Sequence, residues 1–113
     1  MNIKIQRTNS DIQRVLTIAL TQKLGNPMLS SVHILQVETS ADLSVARVHV
    51  DITSEEPDKV MAELSSAAGF LRNEIAKSVK LRRAPELRFI RDVGRANAMR
   101  VEELLAQIKG ENN

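Results

Sequence analysis

Ser65-Ser66-Ala67-Ala68-Gly69-Phe70-Leu71-Arg72 is the stretch on which the fold turns. Before it, Val60, Met61 and Leu64 recur at helical spacing; after it, Leu71 and Ile75 carry the same apolar stripe to about Val79. Ala67, Ala68 and Gly69 interrupt the stripe with small side chains. Glycine inside a helix costs about 1 kcal/mol relative to alanine, so its presence predicts a bend or a close approach. The stripe therefore reads as a helix, a kink at Ala67, Ala68 and Gly69, and a second helix. Pro85 ends any helix before it, because the residue preceding a proline is pushed out of the helical region. Ser54-Glu55-Glu56-Pro57 supplies the start: a cap, acids in the first turn and a proline near the N-terminus.

Upstream of the kink, strands are expected. Residues 32–39 are rich in β-branched side chains. From Val45 the alternation is clean, with Ala46, Val48, Val50 and Ile52 on one face and Arg47, His49, Asp51 and Thr53 on the other. That is a half-buried strand. The short polar connection Ser40-Ala41-Asp42-Leu43-Ser44 favours antiparallel pairing. Earlier still, Ile12, Val15, Leu16, Ala19, Leu20 and Leu24 mark one face of a helix. Thr8, Asn9 and Ser10 offer its N-cap and Gly25 fits its C-terminal stop. Downstream, residues 87–91 read as a short strand, and Val101, Leu104, Leu105 and Ile108 as a last helix. The tail is expected to fray from about residue 110. The order predicts one α+β domain over residues 1–113, a three-stranded sheet with helices on one face.

The charge is segregated along the 113 residues. The total is only +2. Residues 1–37 carry +3, residues 38–63 carry −5, residues 64–100 carry +6 and the remainder −2. A small net charge can thus hide a basic face. Arg72, Lys80, Arg82, Arg83, Arg88, Arg91, Arg95 and Arg100 are the candidate phosphate contacts, spread over the kinked helix, the loop before Pro85, the last strand and the segment after it. Some are expected to pair with Glu74, Glu86 or Asp92 instead. Aromatic residues make up 2% of the chain, Phe70 and Phe89 alone, which disfavours a base-stacking platform.

Other chemistry finds little support. With no cysteine, disulfides and thiolate catalysis are excluded, and a reducing, cytoplasmic setting is expected. No apolar run approaches the roughly 18 residues of a membrane span. His33 and His49 on adjacent strands lack the further ligands that a metal needs. Glu55, Glu56 and Asp58 are better explained by a helix dipole than by a carboxylate site. No glycine-rich phosphate loop and no nucleophile–base–acid set stands out, so neither catalysis nor a cofactor is expected.

The chain resembles the ribosome-binding factor A family over about residues 5–108. The resemblance rests on Asn26-Pro27, Asp42-Leu43-Ser44, the kink stretch from Ala67 to Arg72, Leu81-Arg82, Pro85-Glu86-Leu87, Phe89 and Asp92. It implies a type II KH-like domain, α-β-β-α-kink-α-β plus a C-terminal helix. In place of the Gly-x-x-Gly loop by which KH domains clamp a nucleic-acid backbone, the family has an Ala-x-Gly kink, which Ala67-Ala68-Gly69 resembles. The family commonly has Asp-Pro-Arg where this chain has Asn26-Pro27-Met28, and a serine where Gly94 stands. The function implied is binding, as a monomer, to the immature small ribosomal subunit and its ribosomal RNA, assisting 5′-end processing of the precursor and growth in the cold. Two alternatives stay open: a KH-like RNA binder outside ribosome assembly, and a protein-interaction module using the acidic residues 38–63.

Overall fold

The computed structural model describes residues 3–92. The expected C-terminal helix and tail, with Arg95 and Arg100, lie outside the described residues. Helix α1 (Ile3–Ile18) continues through a π-helical turn, Ala19–Lys23, to Gly25. Gly25 has φ +62°, a left-handed conformation that suits glycine. A short 3-10 helix, Pro27–Ser31, follows. Asn26 caps it, its Oδ1 accepting from Met28 N at 3.1 Å. Strands β1 (Val32–Thr39) and β2 (Val45–Ile52) come next, then α2 (Pro57–Ser66), α3 (Ala68–Ser78) and β3 (Glu86–Arg91).

The sheet order is β1-β2-β3. β1 and β2 are antiparallel, while β3 runs parallel to β2. The parallel pairing requires the crossover that α2 and α3 supply. Together with the α-β-β-α-α-β order it gives the type II KH-like arrangement that the resemblance implies. Ala46, Val48, Val50 and Ile52 of β2 are buried under the helices, against Leu16, Leu64, Leu71 and Ile75. The odd-numbered side chains of β2 face the other way, as the alternation predicts. β1 has a bulge between Ile34 and Gln36. Gln13 of α1 donates to Ile34 O there at 3.2 Å, tying the irregular turn of strand to the first helix.

Three expectations need correction. Thr8, Asn9 and Ser10 do not cap α1, which begins earlier. Thr8 is buried within the helix and donates to Lys4 O at 2.9 Å. Asn9 Oδ1 instead reaches β1, accepting from Thr39 N at 3.1 Å and from Thr39 Oγ1 at 2.7 Å. Glu55 and Glu56 precede the first turn of α2 and leave only Asp58 within it. The third concerns Gly69. The helix breaks at Ala67, which closes α2 and opens α3 at φ −83° and ψ −4°. Ala68 and Gly69 belong to the following turn. A Cβ at Gly69 would meet nothing within 4 Å, so among the described residues no close approach demands glycine.

Gly69→Ala is expected to stabilise the fold by up to about 1 kcal/mol, since alanine loses less conformational freedom on folding. Thermal unfolding checks it: a lowered midpoint would mean that the backbone at Gly69 is strained after all.

Candidate nucleic-acid interface

Because β2 and β3 are parallel, the loop of residues 40–44 and the loop of residues 79–85 lie at the same end of the sheet. Glu86 N donates to Ser44 O at 2.9 Å and joins them. Asp42, Leu43, Ser44, Leu81, Arg82 and Arg83 line a shallow recess between the two loops.

The first wall is tightly built. Asp42 Oδ1 accepts from Ser44 Oγ at 2.7 Å, Ser40 Oγ at 2.8 Å and Ser44 N at 3.1 Å. Ser40 Oγ itself accepts from Val45 N at 3.1 Å. These donors, the Ser44 hydroxyl first, hold the Asp42 carboxyl down at about 2, so it is a carboxylate at any physiological pH. Leu43 sits at φ +60°, a conformation rare for a bulky side chain, and its N–H donates to Ser40 O at 2.9 Å.

The second wall carries the charge. Arg82 and Arg83 are exposed, as is Lys80 just after α3. Arg72 holds this loop from behind. Its Nε donates to Pro85 O and its Nη2 to Ala84 O, both at 3.1 Å. The fork of a guanidinium suits two neighbouring carbonyls, where an ammonium could serve only as a point donor. Pro85 is fully buried, which anchors the end of the loop. Arg72 therefore braces the loop through two of its donors.

The other predicted cations are dispersed. Arg88 is exposed on the sheet's outer face with Nη2 3.4 Å from Glu86 Oε2. Arg91 is half-buried at the end of β3. The structure thus brings Arg82, Arg83 and Lys80 together, and sets Arg88 and Arg91 on the neighbouring strand. Arg47, which lies in the acidic stretch of sequence, stands beside Arg88 as its Cα partner across β2 and β3.

Glu74 and His49 each stand beside an oppositely charged or polar partner. Glu74 of α3 is buried, and Lys23 at the end of the π-turn donates to its Oε2 at 2.7 Å. That bond holds the Glu74 carboxyl below its ordinary range despite burial. His49 Nε2 stands 2.7 Å from Glu38 Oε1 but makes no hydrogen bond among the described residues. Among the described residues no three His, Asp or Glu side chains group as metal ligands, and no helix is long and apolar enough to cross a membrane.

The family model of ribosome-binding factor A matches residues 4–105. The chain belongs to the ribosome-binding factor A family. The ribosome-binding factor A of Ruthia magnifica is 37% identical over 105 residues, 93% of this chain and 94% of that protein. The crystal structure of the Thermus thermophilus ribosome-binding factor A superimposes with a TM-score of 0.70 at 30% identity, covering 77% of this chain and 94% of that one. A homology model of the Thermus thermophilus factor, fitted into a cryo-EM map of a 30S–RbfA complex, matches at TM-score 0.60 and 33% identity, over 73% of this chain and 88% of that one. These ribosome-binding factors share the KH-like fold described above.

Two features escaped the sequence reading. The spacing Ser40-x-Asp42-x-Ser44 was a signal for side chains that bond their own backbone. The Arg47–Arg88 juxtaposition had no local signal, because it follows from a parallel pairing across about forty residues of intervening chain.

Proposed function

We propose that this chain binds the immature small ribosomal subunit through its ribosomal RNA and assists maturation of the precursor's 5′ end without catalysis. It would act as a monomer in the cytoplasm, with residues 1–113 forming one RNA-binding domain. The observation that carries this reading is the braced basic loop, Lys80, Arg82 and Arg83, on a chain of a family with a member fitted into a 30S complex. A guanidinium reads a phosphate bidentately, and such contacts position a protein on folded RNA without reading its bases. Holding one conformation of the RNA is sufficient for an assembly role and needs no reacting group.

Co-sedimentation with precursor small subunits, set against free RNA, tests the partner. Binding should weaken steeply with salt, since each neutralised phosphate contributes about 0.7 to 0.9 to the slope of log affinity against log salt. Arg82→Ala with Arg83→Ala is expected to weaken binding and to flatten that slope by about one unit or more, with the melting temperature unchanged because both side chains are exposed. A salt-independent affinity would remove phosphate recognition from the reading. Equal binding to unrelated RNA would point to a general RNA binder.

A further inference from the structure

The loop of residues 40–44 has an arginine pair on each side. On one flank are Arg82 and Arg83, with Leu43. On the other, Arg47 and Arg88 line a second depression with Ser40 and Val45, on the sheet face opposite the helices. Like charges directly opposite on paired strands repel, so this second pair is an unfavourable arrangement in the chain by itself. The nearby acids offset it only loosely. Arg47 Nη2 is 3.8 Å from Glu38 Oε2, and Arg88 Nη2 is 3.4 Å from Glu86 Oε2. All four side chains are well exposed, and exposed pairs of this kind are worth at most about 1 kcal/mol. An anion entering between the two guanidiniums displaces little.

The crest between the flanks narrows the partner. Leu43 is held out of the ordinary backbone range by the bonds among Ser40, Asp42 and Ser44, so the crest of the loop is preset. Asp42 Oδ1 is occupied by its three donors, and Oδ2 receives none of them. A carboxylate only accepts hydrogen bonds. It repels a phosphate from the crest and favours a donor, such as a ribose 2′-hydroxyl or a base amino group. Phosphates to either side with donors between them are what a single strand of RNA offers.

We propose that the loop of residues 40–44 is a ridge crossed by one RNA strand, with phosphates held by Arg47 and Arg88 on one flank and by Arg82 and Arg83 on the other. This rests on the RNA-binding reading above and extends its surface onto the outer face of the sheet. The test uses the full chain with two probes, purified small ribosomal subunits and a small-subunit ribosomal RNA transcript. Arg47→Gln is expected to weaken binding about five- to tenfold and to flatten the salt slope by about 0.7 to 0.9. Arg47→Lys should retain most of the slope, because it keeps the point charge. Leu43→Gly keeps the left-handed conformation open to the backbone and should weaken binding without lowering the melting temperature. If Arg47→Gln binds as the parent does while the Arg82→Ala, Arg83→Ala variant does not, the strand does not cross the ridge. The proposal then falls and the function stands. If neither variant changes binding, RNA recognition by this end of the molecule falls with it.

Discussion

Leu71→Ala is expected to cost about 2–5 kcal/mol of folding stability. Leu71 is fully buried, as are Val60, Leu64 and Ile75 of the stripe that crosses the helix break. Its truncation removes the transfer free energy of the lost carbons and leaves a cavity that neighbours can only partly fill, at about 24 cal/mol per Å3 of residual volume. The site has little freedom to collapse. Ala67, directly before the break, is already small and half-buried, and Leu71 N donates to Ala67 O at 3.0 Å in the first turn of α3. A protein of this size typically holds only about 5–15 kcal/mol in total, so the variant should lie close to its unfolding threshold. Urea titration checks this: the midpoint should fall sharply with an unchanged m-value. A cost below about 1 kcal/mol would mean that α3 does not pack on the sheet as described.

What the sequence made legible depends on the range of the interaction. The β2 alternation is a property of each residue and its second neighbour, and every expected inward side chain from Ala46 to Ile52 is buried. The α2–α3 stripe is similarly local, and it placed the kink within two residues of the break at Ala67. The start of α1 was misread because Thr8 and Asn9 suit a cap as well as they suit their actual partners. Asn9 bonds Thr39, thirty residues away, and no local pattern announces that. The site divides the same way. Counting charge found the basic end of the molecule, where Arg82 and Arg83 stand exposed. It also counted Arg72, whose partners are two backbone oxygens, and it set Arg47 among acids although the parallel register puts it beside Arg88. Sign of charge is written in the residue type, whereas its partner is written in the topology.

Arg72 gives the sharpest separation between a contact and a brace. Arg72→Ala is expected to lower stability by about 1–3 kcal/mol, because it removes two charge-assisted hydrogen bonds and leaves Ala84 O and Pro85 O without them. It should also weaken RNA binding at least as much as the paired Arg82→Ala, Arg83→Ala change, since the loop carrying both arginines loses its anchor to α3. The informative variant is Arg72→Lys. A phosphate contact would keep most of its salt slope with lysine, which retains the charge on a flexible stem. A brace would not, because one ammonium cannot reproduce the planar fork that spans two successive carbonyls. Stability and binding should therefore both remain low in Arg72→Lys, and amide exchange should quicken across residues 79–85. Recovery of binding and of the salt slope by lysine, with the melting temperature still depressed, would place Arg72 in the phosphate-contacting set. Failure of lysine on all three measurements places its role in holding the loop: an arginine that touches no RNA decides whether the two beside it can.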